Sequence, residues 1–255
     1  MPGAISARYY NREGYKNHTI MENFKKKVQD SAQFYTQSFL NFDLKLTEMN
    51  YLSLRPYFKG KSALELGPAL GQMTKYLVND FESVDVIEGS KDLLDLMPDY
   101  INIKKHLSYF EEFKTELKFD TIVMSHVLEH IEKPIELLKH ISNWLSEDGV
   151  FLISVPNAKS FHRLAAVEMG LLKSEYELNQ RDHELGHYRV YDLPSLKKDI
   201  EDSGYKIMDD GGVFFKPVSN GQIETNWNDE MIKGFYNLGK KFPQYCAEIF
   251  VVCTK

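Results

Sequence analysis

The segment SHVLEHIEKP contains closely spaced histidine and glutamate residues that could bind a metal ion or transfer a proton. His126, Glu129 and His130 follow the pattern H-x-x-E-H, which inverted zinc peptidases use. Such a peptidase needs both histidines on one long helix and a third ligand further on. Pro134 limits a helix that starts at Ser125 to about two turns, because the residue before a proline avoids the helical region. We therefore expect no peptidase site here.

A second group of reactive side chains lies in NQRDHELGHYRVYD. Its guanidinium groups present a planar fork that suits phosphate or carboxylate. A solvated loop is the alternative interpretation. Lys216, in FFKPVSN, could join the group from a later segment together with Asn220. The predicted substrate-binding residues are Arg181, His183, His187, Arg189, Tyr191 and Lys216.

The segment ELGPALG has the composition of a ligand-binding turn. Gly67 lets the turn tighten and the backbone approach a ligand, and Gly71 lets a helix start pack closely. Neither the dinucleotide pattern G-x-G-x-x-G nor the phosphate loop G-x-x-x-x-G-K-[ST] is present. Glu88 follows Gly67 at the spacing at which an acidic residue bonds ribose hydroxyls in doubly wound folds. The turn thus favours a nucleoside over a pyrophosphate.

The elements that must hold these residues alternate between strands and helices. Strong strands are predicted at 119–125 and 149–157, and a weak one at 102–107. Further strands are predicted at 62–66, 83–88, 205–210 and 246–254. Helices of about ten residues separate most of them. This alternation is typical of βαβ units, and so of an α/β fold with a mostly parallel sheet.

Three segments do not fit the alternation. Residues 1–58 are predicted to be an N-terminal helical cap, and 59–255 the main domain. Within that domain, 158–190 and 211–244 lack sheet character and are predicted to be irregular insertions that cover the sheet edge. Near the start of the chain, Tyr15 or His18 could close over a ligand.

Composition excludes several classes of protein. The chain has 255 residues and a net charge of -6, whereas nucleic-acid-binding proteins normally show a basic face. No apolar run approaches the length of a membrane span, and the first residues lack the apolar core of a secretory signal. Cys246 and Cys253 are expected to be buried free thiols. We expect a cytoplasmic protein whose partners are small molecules.

Together these motifs resemble class I S-adenosylmethionine-dependent methyltransferases. ALELGPALGQMTKYL, VDVIEGS and the stretch FDTIVMSHVLEHIEKP are similar to that family's motifs. The resemblance is good over 60–157 and looser over 192–210 and 246–254. It implies a Rossmann-like seven-stranded sheet with one antiparallel strand, S-adenosylmethionine as cofactor and S-adenosylhomocysteine as product. Ala69 departs from the family, many members of which have glycine there.

The resemblance also implies roles for individual residues. Glu65 would orient the turn or the methionine amino group, and Glu88 would hold the ribose hydroxyls. Ser125 and His126, at the end of the predicted fourth strand, would lie beside the sulfonium. The predicted cofactor-binding residues are Glu65, Gly67, Gly71, Glu88, Ser108, Tyr109, Ser125 and His126.

Methyl transfer needs mainly positioning, exclusion of water and removal of a proton from the acceptor. A histidine is the natural base, and the predicted catalytic residues are His126, His130 and His187. Glu129 and His130 could instead serve only to hold the loop. Some quinone-biosynthesis relatives bind a divalent ion near this place, but we expect no metal here.

The predicted reaction is O-methylation of a polar small molecule, with a sugar or an activated sugar precursor favoured and phosphorylated acceptors included. The cap sequences resemble bacterial methyltransferases found with surface-polysaccharide assembly. N-methylation of an amino metabolite or amino sugar is the first alternative. A nicotinamide-dependent oxidoreductase and a non-catalytic cofactor-binding subunit are further alternatives. The sequence leaves the oligomeric state open.

Overall fold

A computed structural model describes residues 41–255, and they contain one seven-stranded sheet. The strands are β1 (Ser62–Leu66), β2 (Ser83–Glu88), β3 (Ile103–Leu107), β4 (Phe119–Ser125), β5 (Leu145–Pro156), β6 (Lys206–Val213) and β7 (Glu248–Thr254). The helices are α1 (Asn41–Leu54), α2 (Thr74–Asp80), α3 (Lys91–Leu96), α4 (Pro134–Ile141), α5 (Phe161–Glu168), α6 (Gln180–Leu185), α7 (Leu193–Asp202), α8 (Asn220–Asn226) and α9 (Asp229–Gly239).

The strand order is β3-β2-β1-β4-β5-β7-β6. The first five strands run parallel, and β7 is antiparallel to both of its neighbours. The predicted α/β fold, a mostly parallel sheet with one antiparallel strand, is confirmed. The chain runs from β1 to β2 and β3 on one side of β1, and then crosses back to β4 on the other side. Ligands bind in the crevice at such a topological switch point.

Side-chain alternation along the strands builds a core on each face of the sheet. In β4, Ile122 and Met124 face the core covered by α4 and α7, while Val123 faces the core covered by α1 and α2. Both cores are made of fully buried aliphatic and aromatic side chains. The sheet is therefore the rigid middle layer of three, and its ends can hold side chains in fixed positions.

Two predicted features of the insertions need correction. The segments predicted to be irregular contain α5 and α6 in the first and α8 and α9 in the second. Asn179 and Ser219 form capping boxes that start α6 and α8, and such caps let very short helices form. Strand β6 also continues to Val213, inside the second segment.

The domain boundaries themselves stay a prediction. Tyr15, His18 and the first part of the predicted N-terminal helices lie outside the described residues. None of the helices in 41–255 has the length and apolar character needed to cross a membrane.

The turn between β1 and α2 departs from ordinary backbone geometry. Gly67 and Gly71 have φ of 67° and 77°, in the left-handed region that glycine adopts without strain. Ala69 has φ of 49°, where a side chain costs about 1–2 kcal/mol. A β-carbon on Gly71 would lie 2.7 Å from Cγ of Met97. This glycine therefore lets the turn pack on α3.

We expect Ala69→Gly to stabilise the protein by up to about 1 kcal/mol. The substitution removes backbone strain in the native state, and this gain exceeds the cost of the greater conformational entropy that glycine gives the unfolded chain. Gly71→Ala should destabilise by about 2 kcal/mol or more, since strain and the contact with Met97 add. Urea denaturation of the two variants gives both values.

The control is Gly170→Ala, where φ is 71° and no atom lies within 4 Å of the added carbon. It should show the cost of backbone strain alone. A loss for Gly71→Ala no larger than that for Gly170→Ala would contradict the packing argument.

Candidate active site

A cavity of about 260 Å³ lies where the carboxyl ends of β1, β4 and β5 meet. The antiparallel strand β7 begins at this edge, because Glu248 pairs with Pro156 at the end of β5. Helix α1 and the segments around α5, α6 and α8 supply the remaining walls. The cavity thus lies between the sheet edge and the segments that the sequence predicts as a cover.

The structure brings residues of all three predicted groups to this cavity. Two come from the end of β1 and the turn after it, two from the end of β4 and three from the insertions. The predicted site residues that line it are Glu65, Gly67, Ser125, His126, Arg181, His187 and Lys216.

The cavity is also where polar groups lack partners. Six buried side-chain nitrogen or oxygen atoms of residues 41–255 make no hydrogen bond, and every one belongs to a residue that lines the cavity. They are Oδ1 of Asn50, both carboxylate oxygens of Glu129, Oγ of Ser160, Nδ1 of His162 and Nδ1 of His187. Two of them, Nδ1 of His187 and Oε1 of Glu129, still have an ionic neighbour, whereas the other four have none in the described part of the chain. A buried polar group without a partner costs roughly 1–3 kcal/mol, so this concentration indicates a site for a polar ligand.

Two buried carboxyl groups stand beside the glycine turn. Glu65 accepts a hydrogen bond of 2.6 Å from the Thr74 hydroxyl, and burial raises its pKa to about 7 against that bond, with Glu88 adding to the rise. Glu88 accepts from the backbone N of Ala69 and of Ser90, at 3.2 and 2.9 Å. Burial raises the pKa of Glu88 despite these bonds. An ammonium or hydroxyl ligand would favour the ionised form of both groups.

Four predicted cofactor-binding residues lie outside the cavity lining. Gly71 packs on α3, as described above. Glu88 lies at the end of β2, and the backbone N of Ser108 donates to its carbonyl oxygen at 3.0 Å. Ser108 and Tyr109 follow β3 in sequence, so they continue this edge away from the cavity.

His126 has the most unusual geometry in the site. Its φ of 55° is in the left-handed region, which a histidine adopts only when the surroundings compensate the strain. Its Nε2 lies 2.8 Å from Oε1 of Glu248, and its Nδ1 lies 3.6 Å from Oε1 of Glu129. The ring keeps 34% of its surface exposed, whereas the two carboxylates are buried.

These two carboxylates decide the charge of His126. Burial alone would lower its pKa, but Glu248 and Glu129 outweigh that effect and raise the pKa well above 6.5. The two carboxylates therefore favour the imidazolium form of His126, which donates hydrogen bonds from both nitrogens and has no lone pair to accept a proton.

A polar network extends from this pair into α1. The side-chain amide of Asn50 donates to Oε2 of Glu248 at 2.8 Å and to the Ser154 hydroxyl at 2.7 Å. The Ser154 hydroxyl donates in turn to Ser125 at 3.0 Å. The network fixes α1 against the ends of β4, β5 and β7.

The other two predicted catalytic histidines contact each other. The rings of His130 and His187 are edge-to-face with centroids 4.6 Å apart. Nδ1 of His187 lies 3.1 Å from Oδ1 of Asp182, which also pairs with Arg163. His130 does not line the cavity, and burial lowers its pKa to about 4.

Three predicted substrate-binding residues do not line the cavity. His183 is exposed on α6. Tyr191 is buried in the core and donates a hydrogen bond of 2.8 Å to Asp199. Arg189 donates to the carbonyl oxygen of Glu132 at 2.9 Å. The geometry of the cavity therefore does not support a substrate-binding role for these three residues.

The H-x-x-E-H segment does not form the helix that a peptidase needs. Only Leu128–His130 forms a single 3₁₀ turn, and α4 begins at Pro134. A different set, Glu129, His130 and His187, has ligand atoms within 4.8 Å of one another. N and O ligand atoms around a tetrahedral zinc ion lie about 3.4 Å apart, so binding would require these side chains to move closer together. The expectation of no metal stays a prediction.

Several cavity residues have no place among the predicted ones. Glu248, Asn50, Ser160 and His162 all line the cavity. Glu248 could have been recognised from the sequence, because it is the single charged residue in the apolar strand EIFVVCT. The other three are ordinary residues of helix starts and helix faces, and only the tertiary structure gathers them.

A sheet of this order, with a glycine turn after β1 and an acidic residue closing β2, defines a Rossmann-like methyltransferase fold. A family model described as "Methyltransferase domain" matches residues 38–209. The chain belongs to this family, and it is an S-adenosylmethionine-dependent methyltransferase. This assignment disfavours the oxidoreductase alternative.

Relatives in the family differ in their acceptors. The chain is 29% identical to (S)-coclaurine N-methyltransferase of Papaver somniferum, over 49% of this chain and 39% of that protein. It is 23% identical to ubiquinone biosynthesis O-methyltransferase of Coxiella burnetii, over 68% of this chain and 75% of that protein. The match thus spans well under half of the first relative.

A solved structure confirms the fold independently. It is that of a methyltransferase from Thermotoga maritima, described as a possible histamine N-methyltransferase. The TM-score is 0.61 at 13% identity, and the alignment covers 90% of this chain and 99% of that one. At this identity the likeness concerns the fold alone.

We expect the His126 ring to remain protonated at pH 7, because its pKa is raised well above 6.5 by Glu248 and Glu129. Its contribution to stability is complete below pH 6.5 and is lost as pH rises through the folded-state pKa. Ring nitrogen chemical shifts measured against pH will show the protonation state.

Glu248→Gln keeps the shape of the carboxylate and removes its charge, so it should lower the pKa of His126. The urea-denatured protein gives the reference titration. A ring that is neutral at pH 7 in the native protein would contradict the assignment of an imidazolium.

Proposed function

We propose that this protein transfers a methyl group from S-adenosylmethionine to a hydroxyl of a polar small molecule, and that the acceptor is a sugar or an activated sugar precursor. The observation that carries this proposal is the concentration of unpartnered buried polar atoms around one cavity. An apolar acceptor would leave those atoms without hydrogen bonds, whereas a hydroxyl-rich acceptor can satisfy donors and acceptors alike.

The glycine-turn side of the cavity fits the cofactor. S-adenosylmethionine would supply a methyl group bonded to its sulfonium sulfur, and S-adenosylhomocysteine would be the leaving group. Glu65 would hold the methionine amino group, and Gly67 and Ser125 would line the methionine portion. Glu88 would accept hydrogen bonds from the ribose hydroxyls, with Ser108 and Tyr109 at the adenine end. The raised pKa of Glu65 supports its role, since a buried carboxyl favours a cationic partner.

On the acceptor side, His187 is our candidate for the base. It lines the cavity, and the Asp182 carboxylate next to its Nδ1 can fix the orientation of the ring. The proton that the acceptor hydroxyl loses would pass to this ring. His130 lies behind His187 and would support it through ring contact.

His126 would act as a hydrogen-bond donor. Its positive charge is more than balanced by Glu129 and Glu248, so the centre as a whole stays anionic. A net negative charge of this kind is compatible with a sulfonium nearby.

N-methylation of an amino metabolite or amino sugar is a second candidate. The carboxylate of Glu129 supports it, because neither of its oxygens makes a hydrogen bond within the described residues and both can accept one from an amine. The two reactions share the proposed cofactor side and differ only in the atom that accepts the methyl group.

The link to bacterial surface-polysaccharide assembly rests on the resemblance of the cap sequences. A cytoplasmic location agrees with Cys246 and Cys253, which are both free and buried. Arg181 and Lys216 supply positive charge for a phosphorylated acceptor.

We expect S-adenosylhomocysteine to raise the melting temperature, while NAD and zinc leave it unchanged. A ligand at one hundred times its Kd stabilises the native state by about 2.7 kcal/mol. A shift with NAD, or none with S-adenosylhomocysteine, would contradict the proposed function. A shift with zinc would contradict the expectation of no metal and would indicate binding at Glu129, His130 and His187.

Glu88→Ala should weaken S-adenosylhomocysteine binding by about 10-fold or more, the cost of losing hydrogen bonds to a charged acceptor. Calorimetric titration measures it. Glu82→Ala, which removes an exposed carboxylate just before β2, is the control and should bind normally. Equal affinities of the two variants would contradict the ribose assignment.

His187→Gln should lower kcat by about 100-fold or more, with little change in the KM for S-adenosylmethionine. The acceptor for this assay comes from a screen of sugars, sugar phosphates, nucleotide sugars and amino metabolites. His183→Gln alters an exposed histidine on the adjoining helix and should retain activity. Similar activity of both variants would exclude His187 as the base.

A further inference from the structure

The three Lys and Arg side chains that line the cavity differ in their partners. Arg163 pairs with Asp182 at 3.3 Å, and Arg181 pairs with Asp43 at 3.0 Å. Lys216 forms no ion pair with any carboxylate of residues 41–255, and its ammonium instead donates to the side-chain oxygen of Asn220 at 2.7 Å. A partly buried ammonium without a counter-charge is unfavourable and favours an anionic ligand.

Asp43, a carboxylate close to this arrangement, already has partners. It accepts hydrogen bonds from Asn220 at 2.7 Å and from Arg181 at 3.0 Å, and Asn220 lies between it and the Lys216 ammonium in the hydrogen-bond chain. Burial, and then Arg181, lower the pKa of Lys216 to about 8, although Asp43 and Glu248 act in the opposite direction. The lysine remains mostly charged at neutral pH.

Two hydrogen-bonding groups of the first insertion complete the surroundings. The backbone N of His162 donates to the carbonyl oxygen of Lys216 at 3.0 Å, which joins the start of α5 to the segment after β6. Nδ1 of His162 has no partner. Burial, with Lys216 and Arg163 nearby, lowers the pKa of His162 to about 2, so the ring is neutral and can donate one hydrogen bond.

Ser160 is the second group. It precedes α5 at the N-cap position but makes no capping hydrogen bond. It is 1% exposed, its hydroxyl has no partner, and it lines the same cavity as Lys216 and His162. An ammonium that forms no ion pair within residues 41–255 and two groups able to donate hydrogen bonds therefore line this cavity.

We propose that Lys216, His162 and Ser160 form an anion-binding subsite that receives a phosphate or carboxylate group of the methyl acceptor. This inference rests on the proposed function and specifies the acceptor as an anionic one. Lysine binds such groups as a point charge, and neutral donors add direction.

The position in the sheet separates this subsite from the cofactor side. Lys216 follows β6, the edge strand, which lies four strand positions from β1 and roughly 19 Å away at about 4.8 Å per strand. The glycine turn follows β1. The methionine carboxylate of the cofactor is nevertheless a second possible anion, and the experiment must distinguish the two.

The test uses the full chain saturated with S-adenosylhomocysteine, titrated with inorganic phosphate or acetate at constant ionic strength. Wild type should bind one of these anions, and Lys216→Met should weaken that binding at least 10-fold, while Lys216→Arg retains it. Tighter binding of phosphate would identify a phosphorylated acceptor, and tighter binding of acetate a carboxylate one.

Lys198→Met is the matched control, since it removes a lysine that is 72% exposed on α7. It should bind the anion like wild type. Lys216→Met should melt no lower than wild type in the absence of anion, because it removes an uncompensated cation.

Two results would overturn the inference. One is equal anion affinity of wild type and Lys216→Met. The other is an equal loss of S-adenosylhomocysteine affinity in Lys216→Met, which would assign the lysine to the methionine carboxylate. Failure of wild type to bind S-adenosylhomocysteine at all would instead count against the proposed function, so the two failures are distinguishable.

Discussion

The ion pair between His126 and Glu248 is the interaction on which the site depends. It joins the end of β4 to the start of β7, at 2.8 Å, and holds His126 in a left-handed conformation that would otherwise be strained. Asn50 connects the same carboxylate to α1. One side chain of an antiparallel strand thus fixes the end of β4, the start of β7 and helix α1 relative to one another.

Charge in the cavity is arranged in pairs around this centre. Arg163 with Asp182 and Arg181 with Asp43 tie helices of the insertion to each other and to α1. Such pairs contribute little net stability when buried, but breaking one is costly, so they favour a single arrangement of the walls. Lys216 is the exception in this pattern, because it forms no ion pair within residues 41–255. Its surroundings therefore suit an anionic ligand.

Local pattern predicted the sheet well, because strand and helix periodicity is a short-range property. The strands SALEL and FDTIVMS begin and end where predicted, and the glycine turn between β1 and α2 has the left-handed residues it requires. The insertions were harder to predict. Helices α6 and α8 are short and depend on capping boxes and contacts with the body, so their sequences lack a clear periodicity of their own.

The amino-acid sequence was sufficient to predict the fold class, the turn and the acidic residue that closes β2, since each of these depends on residues close together in the chain. It also identified His126 and His187 as candidates. The favoured protonation state of His126 depends on long-range contacts, because Glu248 reaches this histidine through a strand inserted antiparallel near the end of the chain. The same long-range assembly gathers Asn50, Ser160 and Lys216 at one cavity, since side chains this far apart in sequence meet only when the sheet is complete.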